Sequence, residues 1–193
     1  MNKTRPILVA LAVSACSCTA FAQSTRAYVS LSGGASHISA DCSGTTACDN
    51  SSGAGRVVVG YRFLPTLAVE ASYGALGKIT ATVPIDGTPI DASIKGQSIG
   101  LGIAALAPFG ATQAWTGIAR VGVASVRTTV GVSGGGVSGS DTSTSTQAYA
   151  GLGLNYSIAP NLEVGVAWDA TRIDYQGSTG SVNIFSVVLG AKF

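Results

Sequence analysis

The chain has 193 residues, of which only 10% are charged, with a formal net charge of +2 and 26 glycines. Its mean hydropathy is +0.41. Such a chain is too apolar and too poorly charged for a disordered tail, a coiled coil or a nucleic-acid binder, and glycine at about twice its usual ~7% share argues against a mainly helical fold.

Residues 1–22 carry the three parts of an export signal: Lys3 and Arg5, an apolar run over 7–15, and Ala20-Phe21-Ala22 as a small-x-small cleavage site. The mature chain is then expected to span 23–193. A competing reading takes Val13-Ser14-Ala15-Cys16 as a lipobox with Cys16 lipidated. Cleavage after Ala22 removes two of the eleven basic residues and leaves nine against nine acidic ones, so the exported protein is formally neutral. Of the cysteines that remain, Cys42 and Cys48 lie close together in a Ser/Gly/Thr/Asp-rich stretch. Export permits their oxidation, and the expected disulfide closes a small loop worth about 2 kcal/mol. A zinc site is the alternative, but neither a second Cys pair nor a His cluster completes one.

No apolar run in the exported part reaches the ~20 residues of a spanning helix. What recurs instead is alternation at period two, in segments of about ten residues separated by turn chemistry. A first strand is expected near 27–35. Val57, Val59, Tyr61 and Phe63 then oppose Arg56, Val58, Gly60 and Arg62, and Leu67, Val69, Ala71 and Tyr73 oppose Ala68, Glu70, Ser72 and Gly74. Ile99, Leu101 and Ile103 oppose Gly100, Gly102 and Ala104, and Val121 and Val123 oppose Arg120, Gly122 and Ala124. Leu152, Leu154 and Tyr156 oppose Tyr149, Gly151, Gly153 and Asn155, and Val164, Val166 and Trp168 oppose Glu163, Gly165, Ala167 and Asp169. The last strand sets Phe185, Val187, Leu189, Ala191 and Phe193 against Ser186, Val188, Gly190 and Lys192. These segments make eight strands.

The face opposite the aliphatics is rich in Gly, Ala and Ser, which suits the crowded interior of a small barrel. The fold class predicted is all-β: an eight-stranded antiparallel up-and-down transmembrane barrel, aliphatic outside, with Tyr61, Phe63, Trp115, Tyr156 and Phe193 as an interfacial girdle. A soluble lipocalin-like barrel is the alternative. Short turns at Leu64-Pro65-Thr66, 108–112 and Ala159-Pro160-Asn161 alternate with longer polar connections near 37–53, 79–91, 129–146 and 173–181, expected to be long external loops.

The run Gly60-Tyr61-Arg62-Phe63-Leu64-Pro65-Thr66-Leu67-Ala68-Val69-Glu70, with Tyr73, Leu76, Gly77 and Lys78, resembles the second and third strands of OmpA-like outer-membrane barrels. Ala27-Tyr28-Val29 with Gly33-Gly34, the turn before Leu162-Glu163, and the strand ending in Phe193 resemble the same family, nearer its single-domain OmpX and opacity types. That resemblance implies a Gram-negative outer-membrane location and a structural or surface-interaction role, such as adhesion or host contact. It implies a monomer surrounded by outer-membrane lipids and lipopolysaccharide. It also implies that Phe185, Val187, Leu189, Ala191 and Phe193 form the signal read by the barrel-insertion machinery. Surface ligands would bind through the loops, and no nucleic acid, cofactor or metal is expected.

By alternation, Arg56, Arg62, Glu70, Lys78, Arg120, Glu163, Asp169 and Lys192 face the lumen. Unpaired charges there would be costly, so pairing across the lumen is expected, Arg62 with Glu70 and Glu163 with Lys192. Such pairs read either as a plug or, as the resemblance would allow, as a gate for a narrow ion path. An enzyme of lipid A is a third reading, resting on His37 and Ser39 with Asp41 as a conceivable orienter. No other residue supports it, and no catalytic residue is assigned. Gly134-Gly135-Gly136 lacks the Gly-Lys-Ser/Thr of a phosphate loop, Asn50-Ser51-Ser52 is a chance-level sequon, and Asp41, Asp49 and Asp141 are too sparse for calcium.

Overall fold

The structure, a computed structural model, describes residues 26–39, 47–85, 88–134, 137–175 and 178–193. Its strands are β1 (Ala27–Ile38), β2 (Ala47–Asp49), β3 (Ser51–Leu64), β4 (Leu67–Ile85), β5 (Thr88–Phe109), β6 (Trp115–Gly134), β7 (Val137–Ala159), β8 (Leu162–Tyr175) and β9 (Ser178–Lys192). The eight long strands pair antiparallel with their neighbours, and β1 bonds to both β3 and β9, so the sheet closes into a barrel. The short β2 lies outside this circuit and adds Ala47–Asp49 to the edge of β4 at Thr80–Thr82. The Phe193 amide donates to the Ala27 carbonyl, which brings both described ends to the same rim.

The alternation expected from the sequence is the barrel wall. Val59, Val69, Leu101, Val121, Leu152, Val166 and Val187 all point outward and are exposed, whereas Val58, Ala68, Ala104, Val126 and Val188 point inward and are buried. The interior is layered. Ala68, Ala104, Leu106 and Ile118 fill the end nearest the termini with Tyr28 against them, and Ile38, Leu76, Ile79, Val126, Ile173 and Val182 fill the opposite half. Between these apolar storeys lie Glu70, Arg120 and Asp169.

The three short turns sit where expected. Pro65-Thr66 joins β3 to β4, and Pro160-Asn161 joins β7 to β8. The connection from β5 to β6 is closed by the Gln113 amide bonding to Gly110, with both residues at positive φ. The expected long loops at the other rim are different, and here the expectation is corrected. β4 runs to Ile85 with β5 starting at Thr88, and β6 runs to Gly134 with β7 starting at Val137. Pairing holds throughout, from Lys78↔Lys95 to Ile85↔Thr88, from Thr129↔Lys95 to Asp91↔Ser133, and from Arg127↔Thr144 to Gly134↔Val137. Composition mistook strand for loop because Thr is a good strand former, and both faces of a sheet standing in water are polar, leaving no alternation to see.

The extension is asymmetric. Pairing of β7 with β8 begins only at Tyr149↔Thr171, and that of β3 with β4 ends at Gly55↔Ala75. Strands β4 to β7 therefore continue as a four-stranded sheet, with the short β2 on its β4 edge and β7 at the other. Since a transmembrane strand needs about 9–11 residues, the 23 residues of β7 carry it well past the bilayer.

Candidate functional site

Seven of the eight charges expected inside do point inward, and four ion pairs link six of them. Arg56 on β3 donates Nη1 to Oδ1 of Asp169 on β8 at 2.6 Å and Nη2 to the Ser72 hydroxyl at 3.1 Å. Arg120 on β6 stands between two carboxylates, 3.4 Å from Glu70 Oε2 and 3.6 Å from Asp169 Oδ1. Lower in the barrel Lys192 pairs with Glu163, whose other oxygen accepts from the Asn155 amide at 3.2 Å. Glu70 is only 1% exposed, and the contact between its Oε2 and Arg120 Nε is one of charges alone, since neither atom makes a hydrogen bond. Two cavities of about 30 and 20 Å³ flank Arg56 and Asp169. Each is large enough for a water or two and no more.

Two expectations about this layer are corrected. Lys78 is exposed on the outer face and does not reach the lumen. The register slips between Ala75 and Gly77, where Gly77 takes φ +104°, so the parity of β4 inverts and Ile79 replaces Lys78 on the inside. A one-residue slip moves every later side chain to the other face. Arg62, expected on Glu70, lies instead over the Tyr28 ring at 5.6 Å. It is Tyr28 that meets Glu70, donating its hydroxyl to Oε1 at 2.7 Å.

Two aromatic residues thus complete the layer and were not singled out from the sequence. Tyr28 lies over Gly60, and Tyr149 lies over Gly102 and Gly122 with Arg56 stacked 4.9 Å above its ring. A Cβ at Gly60 would fall within the Tyr28 ring, one at Gly122 would strike the Leu101 carbonyl and the edge of the Tyr149 ring, and one at Gly151 would strike Asp169 and Arg120. The signal was present: an inward-facing tyrosine beside a neighbouring strand's inward-facing glycine marks a ring seated on bare backbone.

The supposed His37 and Ser39 pair does not meet. The His37 ring lies 3.4 Å from the Ser51 hydroxyl, and Ser39 accepts from Ser181 at 3.0 Å, both on the exposed outer face. Asp41 and Cys42 lie outside the described residues, and of Cys48 only the backbone is described, in β2. Among the described residues, no group of three or more His, Cys, Asp or Glu side chains is arranged to hold a metal ion.

A closed eight-stranded wall with aliphatics outside and paired charges inside is the geometry against which known proteins can be compared. A family model for the outer membrane protein beta-barrel domain matches residues 8–193. The chain belongs to that family. Among solved structures, this outer-membrane barrel is similar to Ail, the attachment invasion locus protein of Yersinia pestis, at 15% identity and a TM-score of 0.58, over 87% of this chain and 98% of that one. It is also similar to neisserial surface protein A at 16% and 0.55, over 88% and 98%, and to OprG of Pseudomonas aeruginosa at 14% and 0.55, over 87% and 96%. These likenesses establish the fold. No curated protein sequence matches the chain. In such barrels the rim that carries the chain termini faces the periplasm.

Proposed function

We propose that this outer-membrane barrel is a non-catalytic surface-contact protein whose working part is the extension of β4 to β7. The carrying observation is that these strands stay paired as far as Ile85↔Thr88 and Gly134↔Val137 while their neighbours stop. A sheet standing off the membrane offers a rigid platform and, on β7, an edge. Among the described residues β7 pairs only with β6 above Tyr149. The Ala148 carbonyl, on the β8 side, accepts from the Thr171 hydroxyl, and the Thr142 amide is occupied by its neighbour Asp141. By alternation, Ser140, Thr144 and Thr146 direct their backbone groups the same way, so an extended segment of an external protein can add as a further strand. Ail, a fold relative, is named for attachment and has been solved with the heparin analogue sucrose octasulfate.

The barrel below serves as an anchor. The shared Arg120 and the water-sized cavities support a plugged lumen. In this reading residues 1–22 are removed on export, Cys42 and Cys48 are joined, lipids surround the wall, and 185–193 guides insertion. The test replaces 82–91 and 130–141 each by Asn-Gly, joining register partners Ala81↔Ala92 and Thr129↔Thr142. The shortened barrel is expected to fold, shown by heat-modifiable migration on gels, while attachment of expressing cells to matrix-coated surfaces falls to the level of cells without it. Attachment that survives in a folded, shortened barrel would sink the proposal.

A further inference from the structure

The outer wall is not uniform. Along the β7–β8 seam it carries two concavities, one above the other. The lower, about 360 Å³, is lined by Leu152, Leu154, Val166, Trp168 and Phe185. The upper, about 630 Å³, is lined chiefly by Val121, Ala148, Ala150, Ala170, Arg172 and Ser181. Register explains the trough. Ala150 and Ala170 face each other directly across the two strands, with Val121 beside Ala150 on β6, so two methyl groups leave a low strip above Leu152 and Trp168. Below them Leu152 pairs with Trp168 and Trp168 with Phe185, which forms an apolar floor. The Trp168 indole N–H donates to Asn183 Oδ1 at 3.2 Å, which fixes the ring at the upper limit of the apolar band, where tryptophan suits the membrane interface.

Arg172 lies four residues beyond Trp168 on the same outward face, towards the external rim, and is exposed. No described acidic side chain forms an ion pair with it. An apolar trough leading up to an arginine at the external interface has the shape and charge order of one amphiphile: an acyl chain below and an anionic head above. We propose that the β7–β8 seam binds one phosphorylated glycolipid of the lipid A type, its acyl chain over Ala150 and Ala170 against Trp168 and its phosphate on Arg172. The inference rests on the membrane placement of the family and not on the contact role of the hairpins. Arginine favours a phosphate because its planar fork donates two parallel hydrogen bonds.

Native mass spectrometry of the full-length barrel in detergent, titrated with bisphosphorylated lipid A, reads the site directly. One tightly retained lipid is expected, with weaker binding of dephosphorylated lipid A and of phosphatidylglycerol. Arg172→Gln should weaken retention about fivefold, the weight of one basic group at a charged membrane surface. Ala150→Leu with Ala170→Leu should block the trough without disturbing the lumen. Both changes are on the outside, and folding is checked by heat-modifiable migration. Equal binding of the dephosphorylated lipid or of phosphatidylglycerol would overturn the ligand class. Wild-type binding by folded Arg172→Gln would overturn the site, even if the double leucine variant failed to fold.

Discussion

Glu70 is the residue on which the inner layer turns. Its carboxylate is 1% exposed, accepts the Tyr28 hydroxyl at 2.7 Å and stands 3.4 Å from Arg120. Glu70→Ala removes both contacts. Breaking a buried pair from one side costs about 3–5 kcal/mol, because the surviving charge stays away from water. Here Arg120 keeps a second carboxylate, Asp169 at 3.6 Å, although Arg56 already holds that oxygen at 2.6 Å. The expected loss is therefore at the lower end, about 3 kcal/mol. Glu70→Gln keeps an acceptor for Tyr28 and loses only the charge, so roughly half that loss is expected. Urea unfolding from phospholipid vesicles, followed by tryptophan fluorescence, measures both. In a double-mutant cycle with Arg120→Met, the pair should couple by about 1–2 kcal/mol. A loss below about 0.5 kcal/mol for Glu70→Ala, the size of an ordinary surface change, would refute the claim that this layer holds the barrel together.

The same assay separates the two faces of β4: Lys78→Gln should change stability by less than about 0.5 kcal/mol, whereas Lys192→Gln, which strands Glu163, should cost clearly more. Gly60→Ala places a methyl group in the Tyr28 ring and should cost about 1–3 kcal/mol by overpacking, while Gly33→Ala, with nothing within 4 Å, should not destabilise. In planar bilayers a plugged lumen gives conductance near zero for the wild type and for Glu70→Ala alike; a wild-type current that Glu70→Ala alters would favour the gate. Peptide mapping of the exported protein is expected to find a chain beginning at Gln23 with Cys42 linked to Cys48, and recovery of a lipidated Cys16 would replace that reading.

What the sequence made legible, and what it hid, follows from which solvent each face meets. Where a strand has lipid on one side and a packed lumen on the other, the two faces differ in chemistry, so the parity of Val57 to Phe63 or Phe185 to Phe193 shows in the letters and the fold follows. Above the bilayer both faces of β4 to β7 meet water, parity vanishes, and a run such as Ser138 to Gln147 has the composition of a loop while pairing as a strand. The error at Lys78 is of another kind, a slip confined to a single residue of β4. Leu76 and Ile79, both buried, are an odd number of residues apart, and uninterrupted alternation cannot place both inside. Only a residue absorbing the half-turn reconciles them, and the glycine between them has the backbone freedom to do so. Partners within the lumen were harder to read, because Glu70 chooses Tyr28 and Arg120 over the sequence-near Arg62 according to which glycines leave room. Gly60 vacates the place that Tyr28 takes, and the ring then shields Glu70 from Arg62. Gly60, Gly122 and Gly151 are thus the complement of the charged layer, their absent side chains making room for the ones that close the lumen.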